Sequence, residues 1–327
     1  EKMTKMLVPD SAHGTNPASA AMAGFDVIEV ESENGLVSPS RIKKELGEDV
    51  AGLMLTNPNT LGLFETEVRT VTDLLHSNGS LLYYDGANMN AIIGITNPGL
   101  MGFDIVHFNL HKTFATPHGG GGPGAGPVGV KNLLKPFLPT PIVVEEKGSY
   151  RLDYGDGRSI GKLHSFFGNF AILVRAYIYI MMNGASGLRQ NSEMAVLNSN
   201  YLMSKISGAY EIPFRRLKKH EFVMSARKLK KEKGITASDV AKYLIDCGIH
   251  PPTIYFPLVV EEALMVEPTE NLTKTELDRI AEYFNAAAEM DSHETGRHPS
   301  STPVSRIDEV KAAKDMVFRW QDIKRDV

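Results

Sequence analysis

Short apolar runs alternate with helical patterns along the first half of the chain. Residues 51–56, 81–84 and 103–110 are apolar runs bounded by polar or turn-forming residues, which is typical of buried strands in a parallel sheet. Between them, residues 68–75 carry valine and leucine with the period of an amphipathic helix. Strands that alternate with helices predict an α/β protein with a mainly parallel sheet and flanking helices.

Further strands and helices are predicted upstream of these runs. Residues 5–9 and 25–29 have the apolar character of short strands. Asn16 is expected to cap a helix that has Pro17 at its first position, and Ser38 is expected to cap the next helix. This order of elements is that of βαβ units.

A second, smaller α/β unit is predicted after Gly208, where the composition changes. Three short strands are expected there, over residues 221–227, 254–258 and 263–266. Thr236 and Thr273 each precede a helical pattern with an acidic residue three positions later, which favours a capping box. The expected division is a large domain over residues 1–207, a small domain over residues 208–290, and a polar linker with a C-terminal helix over residues 291–327.

Two stretches between these units have unusual composition. Residues 131–163 are irregular and rich in proline, and long irregular loops in compact domains are usually functional. Residues 166–182 are the most apolar stretch, but they include Asn169 and Arg175 and are too short to span a bilayer comfortably. We therefore predict a core helix, in which Arg175 has a structural role.

Composition excludes several classes of protein. The 327 residues carry a net charge of −4, which does not indicate nucleic-acid binding. We interpret the basic clusters at residues 215–219 and 228–233 as solvated faces. The single cysteine, Cys247, excludes an intrachain disulfide and fits a reducing compartment. Without a signal-peptide pattern or a membrane span, a cytoplasmic location is expected.

Two strand ends carry the candidate chemistry. The run 81–84 stops at Asp85, and the run 103–110 stops at His111-Lys112. Ligands of parallel sheets lie beyond the carboxyl ends of the strands, so both side chains should face one crevice. A lysine that forms a Schiff base and a carboxylate that pairs with a pyridine nitrogen are what a pyridoxal phosphate site needs. An ordinary Asp–Lys ion pair is the alternative, but the glycine run 119–122 favours a ligand.

Five strings of residues carry a resemblance to a known family. They are SAHGTNPASA, TNPNTLGLFE, YYDGANMN, NLHKTF and PHGGGGPG. Together they resemble the glycine decarboxylase, or P-protein, of the glycine cleavage system, and most closely its second subunit in organisms that divide it into two chains. The resemblance extends from Ser11 to the C-terminal MVFRWQD. It implies a fold type I pyridoxal phosphate-dependent transferase of the aspartate aminotransferase-like class.

The resemblance also implies roles for individual residues. Lys112 would carry the cofactor pyridoxal 5′-phosphate as a Schiff base, and Asp85 would pair with the ring nitrogen, with Ala87 close to the ring. His13 would stack on the ring and handle protons. His111 would act at the phosphate or position the lysine.

Three polar residues at a neighbouring strand end are further candidates. Thr56 ends the run 51–56, and Asn57 and Thr60 follow it. All three are candidates for contacts with the cofactor or the substrate. An arginine is expected to bind the substrate carboxylate, but the sequence does not identify it.

The implied reaction is decarboxylation of glycine with transfer of the aminomethyl group to the lipoyl group of the H-protein. The implied partners are the companion P-protein subunit 1 and the H-protein, with no nucleic acid and no membrane. Two alternatives remain: another fold type I amino acid decarboxylase, and an inactive partner or scaffold fragment.

The start of the chain leads to a further expectation. Glu1 lies only a few residues before the first predicted strand, which suggests a fragment. The resemblance implies a preceding part that holds the loop gripping the cofactor phosphate. We therefore expect weak cofactor binding and little glycine chemistry from this chain alone.

Two other patterns are weaker. His107 and His111 are four residues apart, but a strand pattern without an HExxH glutamate gives no metal site. Residues 157–161 fit G-x-S-x-G around Ser159, and residues 118–121 resemble an oxyanion-hole string. A nucleophile elbow needs a strand before the serine, whereas Ser159 follows a polar loop, so a serine hydrolase is only a remote alternative.

Overall fold

The computed structural model describes residues 3–120, 122, 124–163, 168–206 and 208–319. Expectations about Glu1, Gly121, Phe166, the boundary at residue 207 and the C-terminal residues from Trp320 lie outside these ranges. The first half of the chain forms one six-stranded sheet. Its strands are β1 (Lys5–Pro9), β2 (Asp26–Val30), β3 (Val50–Thr56), β4 (Leu81–Gly86), β5 (Ile105–Phe108) and β6 (Val128–Val130).

The order of the strands across this sheet is β2-β1-β3-β4-β5-β6. The first five strands are parallel, and only β6 pairs antiparallel, with β5. The helices of this half are α1 (Thr15–Met22), α2 (Pro39–Glu45), α3 (Val68–Ser77), α4 (Pro98–Met101) and α5 (Leu110–Thr113). Leu53, Leu82 and Leu75 are fully buried between the sheet and α3. The prediction of a mainly parallel sheet with flanking helices is confirmed.

An antiparallel hairpin and a long helix follow. The hairpin consists of β7 (Ile142–Glu146) and β8 (Ser149–Asp153), and it lies within the stretch that we predicted to be irregular. The helix α6 runs over Phe170–Ile206 with a kink at Gly184, where φ is 61°. Such a positive φ is accessible to glycine without a Cβ clash, so the kink falls at the residue that tolerates it.

The second half of the chain forms the smaller α/β unit. Its strands β9 (Phe222–Ser225), β10 (Thr253–Ile254) and β11 (Ala263–Val266) make an antiparallel sheet in the order β10-β11-β9. The helices are α7 (Arg227–Lys233), α8 (Ala237–Asp246), α9 (Lys274–Glu289), α10 (Ser292–Thr295) and α11 (Glu309–Lys314). The capping boxes predicted at Thr236 and Thr273 are both present.

Several predicted elements have different bounds. The strand predicted over residues 221–227 ends at Ser225, because the lysine-rich segment that follows buries only Leu229 and forms α7. The strand predicted over residues 103–110 ends at Phe108, and Leu110 begins a short helix. Lys112 therefore lies on α5, one turn beyond the strand end.

The prediction that Asn16 caps α1 is wrong. The helix begins at Thr15, and no side chain caps it. The side chain of Asn16 is buried and donates to the carboxylate of Asp85 at 3.1 Å. Water can satisfy the N–H groups of an exposed helix end, whereas a buried carboxylate needs donors from the protein. The side-chain amide of Asn16 therefore binds Asp85 and does not cap the helix.

The prediction of a core helix is wrong for the first half of α6. By length and composition alone, this helix is long and apolar enough to cross a membrane. Only 11% of its most apolar 18-residue segment is buried, so that segment is not a core helix of this chain. Tyr177, Met181 and Met182 are exposed, as is Arg175. After the kink, Ala195 and Leu202 are buried, and this part of α6 packs against α9. Apolar composition identified a surface that must be covered, but in the first half only residues such as Ile172 and Ala176 are covered by the described part of the chain.

A buried polar network holds the loop after β3. The carboxylate of Glu65 accepts hydrogen bonds from the backbone N–H of Val37 at 2.9 Å and from the side chain of Asn59 at 2.7 Å. The side chain of Asn57 accepts from the backbone N–H of Glu65 at 3.0 Å. Burial outweighs these hydrogen bonds and raises the pKa of Glu65 to about 7.

We expect Glu65→Gln to flatten the pH dependence of stability. Because the folded pKa is raised above the unfolded value of 4.5, the contribution of Glu65 is fully present below that value and is lost as pH rises through about 7. The free energy of unfolding should therefore fall by up to about 3 kcal/mol across this range in the parent but not in the variant. The variant also loses one hydrogen bond, so at pH values below about 4.5 its free energy of unfolding should be lower than that of the parent.

Urea unfolding at several pH values measures both effects. The exposed Glu67 in the same loop gives a matched control, Glu67→Gln, which should keep the slope of the parent. An unchanged slope in Glu65→Gln would contradict the assignment.

Candidate active site

Four adjacent strands bring the candidate residues to one edge of the sheet. His13 follows β1, Thr56 ends β3, Asp85 lies near the end of β4, and Lys112 follows β5. Because β1, β3, β4 and β5 are neighbours and parallel, their carboxyl ends meet at the same edge. This edge is where ligands of open parallel sheets bind.

Asp85 is the central buried charge of this edge. One carboxylate oxygen accepts from the side chains of Asn16 at 3.1 Å and Thr56 at 3.2 Å. The other accepts from the backbone N–H of Ala87 at 3.0 Å. A carboxylate has about four lone-pair sites, so these three bonds leave acceptor capacity for one further N–H.

His107 is a site residue that sequence reasoning weighed only as a metal ligand. It pairs with Asp85 in the register of β4 and β5, and its Nε2 lies 3.4 Å from the carboxylate. Its Nδ1 lies 2.5 Å from the hydroxyl of Tyr83. Burial, together with the charge of Asp85, raises the pKa of Tyr83 to about 12, so the phenol keeps its proton. The other ring nitrogen, Nε2, lies 3.1 Å from the side-chain oxygen of Asn109, which can only accept, so Nε2 carries the ring proton and Nδ1 accepts from Tyr83. Nε2 also faces Asp85.

Lys112 has an exposed side chain on a helix that packs against the 3-10 turn Met89–Ala91. Among the residues that the structure describes, three buried polar atoms of the segment around it have no hydrogen-bond partner: Nδ1 of His111 and the hydroxyls of Thr113 and Thr116. Burial, with the neighbouring charges of His118 and Lys112, lowers the pKa of His111. Unpaired donors next to a lysine are the groups that an anionic ligand would satisfy.

The remaining predicted residues have varied positions. His13 is exposed, accepts from the backbone N–H of Thr15 and contacts the ring of Phe256 edge-on at 5.5 Å. Asn57 and Thr60 are buried and engaged internally: Asn57 accepts from Glu65, and Thr60 donates to the carbonyl of Ser11. Their side chains support the loop after β3, and cofactor contacts by them stay a prediction.

In the described part of the chain, the surroundings of Ser159 are not those of a catalytic serine. It lies in a loop after β8, donates to the carbonyl of Leu138 at 2.7 Å and accepts from the backbone N–H of Gly161. The hydroxyl is thus engaged with the backbone, and the strand that a nucleophile elbow requires does not precede it.

The residues present fit pyridoxal phosphate. A buried carboxylate with spare acceptor capacity suits a pyridinium N–H. An exposed lysine on the short helix after the neighbouring strand suits the aldehyde, and the buried hydroxyl and imidazole groups of the same segment suit the phosphate. Together with the parallel sheet and the small antiparallel sheet, they define a fold type I pyridoxal phosphate enzyme.

Solved structures have the same fold. The chain is similar to the glycine decarboxylase (P-protein) of the glycine cleavage system in inhibitor-bound form, with a TM-score of 0.74 and 20% identity over 88% of this chain and 66% of that one. It is also similar to the cysteine desulfurase CsdA from Escherichia coli, with a TM-score of 0.67 and 16% identity over 88% of this chain and 73% of that one.

Closer relatives identify the family. The chain is 56% identical over 321 residues to the probable glycine dehydrogenase (decarboxylating) subunit 2 of Thermoplasma acidophilum, covering 98% of this chain and 67% of the relative. It is 55% identical to the protein of the same name from Pyrococcus horikoshii, covering 98% and 66%. Residues 191–307 match the family described as glycine dehydrogenase, C-terminal domain. The chain belongs to the glycine dehydrogenase (decarboxylating) subunit 2 family, and it spans about two thirds of the length of these relatives.

We expect Lys112 to be the residue that pyridoxal phosphate labels. Borohydride reduction after incubation with the cofactor, followed by peptide mapping, should place the label on Lys112, because it lies at the edge that holds Asp85. Lys131 is an internal comparison, since its ammonium is bound to Asp104 at 2.7 Å and is less able to react. A label found mainly on Lys131 or Lys162 would show the assignment to be wrong.

Proposed function

We propose that this chain carries the pyridoxal phosphate site of a glycine decarboxylase of the glycine cleavage system. The observation that carries the proposal is the placement of Asp85 and Lys112 at the carboxyl ends of the adjacent parallel strands β4 and β5. Relatives at least 55% identical to the chain are named glycine dehydrogenase (decarboxylating).

Each group at the edge has a role in holding the cofactor. Lys112 would supply the amine that binds the aldehyde, and Asp85 would accept the ring N–H. His13 and Ala87 would lie beside the ring. His111 would bind the phosphate, and the hydroxyls of Thr113 and Thr116, which have no partner among the described residues, would be further donors for it. Bound pyridoxal phosphate supplies an electron sink for the bond between the glycine Cα and its carboxylate.

The protein's own contribution is to orient Asp85 and its proton partners. Asn16 and Thr56 hold one carboxylate oxygen, and the N–H of Ala87 holds the other. Tyr83 fixes the tautomer of His107 so that a ring N–H faces Asp85. The products of the proposed reaction are carbon dioxide and an aminomethyl group, which passes to the lipoyl disulfide of the H-protein.

The exposed half of α6 supports a companion subunit as a partner. Phe170, Tyr177 and Met181 recur at helical spacing, and each is about two thirds exposed. Contiguous exposed apolar surface marks an interaction site. The name "subunit 2" of the relatives calls for another subunit, so we propose that this face buries against it.

We expect the double variant Tyr177→Glu, Met181→Glu to bind the companion subunit at least about tenfold more weakly. Two apolar side chains worth about 1.5–3 kcal/mol each would be replaced by charges that resist burial. Analytical ultracentrifugation of the mixed subunits measures the change, and Leu100→Glu, at an exposed position on α4, is the control. If the double variant bound the companion subunit normally, this face would have another occupant. The same would follow if the double variant lost only the self-association of the isolated chain.

Asp85→Asn tests the proposed reaction. With the companion subunit and the H-protein present, glycine–bicarbonate carbon exchange should fall by about 10–100-fold, because a charge-assisted hydrogen bond worth about 1.5–3 kcal/mol becomes a neutral one. The label on Lys112 should persist. The exposed Asp73→Asn should exchange carbon like the parent. Near-normal exchange in Asp85→Asn would refute the role of this carboxylate.

A further inference from the structure

A cluster of three titratable side chains lies where the smaller α/β unit meets the loop after β4. It consists of His220, Glu221 and Glu267, whose ligand-type atoms lie within 4.8 Å of one another. His220 and Glu221 precede β9, and Glu267 follows β11, the strand that pairs with β9. The antiparallel pairing of these two strands therefore brings the three side chains together.

His220 is the member of this cluster that lacks a partner. Its side chain is 1% exposed, and among the described residues neither ring nitrogen has a hydrogen-bond partner. Nε2 lies 3.8 Å from the carboxylate of Glu221 and 3.7 Å from that of Glu267, so the ring is directed between the two carboxylates. A buried imidazole without a partner costs free energy, which indicates a ligand that the described residues do not supply.

The distances within the cluster suit a metal ion better than hydrogen bonds. An N–H···O bond needs about 2.7–3.2 Å, and both distances from Nε2 of His220 are longer. A zinc ion with bonds of about 2.0–2.2 Å to nitrogen and oxygen holds its ligand atoms about 3.3–3.6 Å apart in a tetrahedral site. The separations of 3.7 Å and 3.8 Å are close to this spacing, and the 44% exposed side chain of Glu267 has room to adjust.

The two carboxylates of the cluster repel each other. Glu221 is buried, and after burial itself the charge of Glu267 is the largest cause that raises the pKa of Glu221. Lys112 and Lys218 oppose this rise, but neither forms an ion pair with the cluster in the part of the chain that the structure describes. The ammonium of Lys218 donates instead to the carbonyl of Leu61 at 3.1 Å. A divalent cation between the carboxylates would offset the repulsion.

Two asparagines after β4 orient the carboxylates. The side chain of Asn88 donates to Oε1 of Glu221 at 2.8 Å, and Oε2 is the oxygen that faces Nε2 of His220. The side chain of Asn90 donates to Oε1 of Glu267 at 3.1 Å. Carboxylates that bind metal ions are usually held by such outer hydrogen bonds. The cluster therefore has ligand groups from the smaller unit and supporting groups from the loop after β4.

A glycine in the loop after β3 allows the close approach that positions Glu221. Gly62 has a φ of +71°, and a Cβ there would lie 1.9 Å from the carbonyl oxygen of Glu221. The backbone carbonyl of Gly62 also accepts from the N–H of Lys219 at 2.7 Å. The backbone on both sides of His220 is therefore held against this loop, and two of the three ligand groups have fixed positions.

We propose that His220, Glu221 and Glu267 bind a divalent transition-metal ion. One imidazole nitrogen and two carboxylate oxygens form a mixed set of ligands, which suits zinc better than magnesium or calcium, since these two prefer oxygen ligands alone. Glu267 lies on the exposed side, so the ion enters there and water completes its coordination. The ion links the sheet of the smaller unit to the loop after β4, and the site does not depend on the proposed cofactor.

Titration of the full, tag-free chain with zinc in a calorimeter tests the site. We expect one zinc ion per chain and no comparable binding of magnesium. Asn90→Ala should weaken zinc binding by about 10–100-fold, the usual cost of losing an outer hydrogen bond. His220→Gln and Glu267→Gln each remove a ligand, so binding should weaken more, by at least about 100-fold. Cobalt(II) used in place of zinc should give visible absorbance with the parent that both of these variants lose.

His250→Gln and Glu261→Gln are the matched controls, because both residues are exposed and lie in the smaller unit outside the cluster. Both variants should bind zinc like the parent, and zinc should raise their unfolding temperature as it raises that of the parent. Glu267→Gln retains an oxygen that Asn90 can bind, and its position is exposed, so we expect it to fold. If His220→Gln does not fold, Glu267→Gln alone decides the matter.

Three outcomes would overturn the proposal. The first is a parent chain that does not bind zinc. The second is zinc binding that persists in both ligand variants, which would place the ion elsewhere, such as beside His111 and His118, whose ring centroids lie 4.3 Å apart. The third is magnesium binding as tight as that of zinc, which would show only a general attraction to negative charge. Labelling of Lys112 by pyridoxal phosphate is measured separately, so loss of this site would leave the proposed function intact.

Discussion

The buried carboxylate of Asp85 constrains the whole carboxyl edge of the sheet. A charge removed from water must be matched by donors, and here they come from separate segments: Asn16 after β1, Thr56 at the end of β3, and the backbone of Ala87. His107 on β5 supplies a further polar contact through the strand register. Satisfying one carboxylate therefore fixes the relative positions of four neighbouring strands, and with them the place of Lys112.

The attachment of the smaller α/β unit depends on a similar requirement. Lys218 was expected on a solvated basic face, but it is only 2% exposed, and its ammonium donates to the carbonyl of Leu61 at 3.1 Å. Burial lowers the pKa of Lys218 to about 8. With Glu221 bound to Asn88, this segment places polar groups of the small domain against the loops that follow β3 and β4. A buried lysine and a buried glutamate tolerate little displacement, so the two units are held in a defined relation at the site.

The long helix α6 combines two environments in one element. Beyond the kink at Gly184 its apolar residues pack against α9, whereas before the kink most of them face outward. The exposed half and the β7–β8 hairpin, where Tyr150 is also exposed, are surfaces that a partner would cover. The buried side of this first half packs on α5 through Ile172 and Ala176, which lie in one cluster with Leu110, so the proposed subunit contact lies next to the helix that carries Lys112.

The sequence by itself determined the five parallel strands of the large sheet, their alternation with helices, and the positions of Asp85 near the end of β4 and Lys112 after β5. It did not predict β6 or the β7–β8 hairpin. These features depend on residues that are close in the chain. They are read from the spacing of apolar residues, from the capping boxes at Thr236 and Thr273, and from the polar residues at strand ends. The resemblance added the family and the cofactor.

Only the tertiary structure decided which polar groups surround the site. Asn16 lies 69 residues from Asp85, and Glu221 lies 133 residues from Asn88, so no local pattern relates them. His107 became a partner of Asp85 through the register between two strands, and a shift of one residue would have turned it to the other face. The helix α6 is a second example of what the sequence does not determine. Its apolar residues indicate that a surface is buried, but they do not identify the segment or partner that covers it.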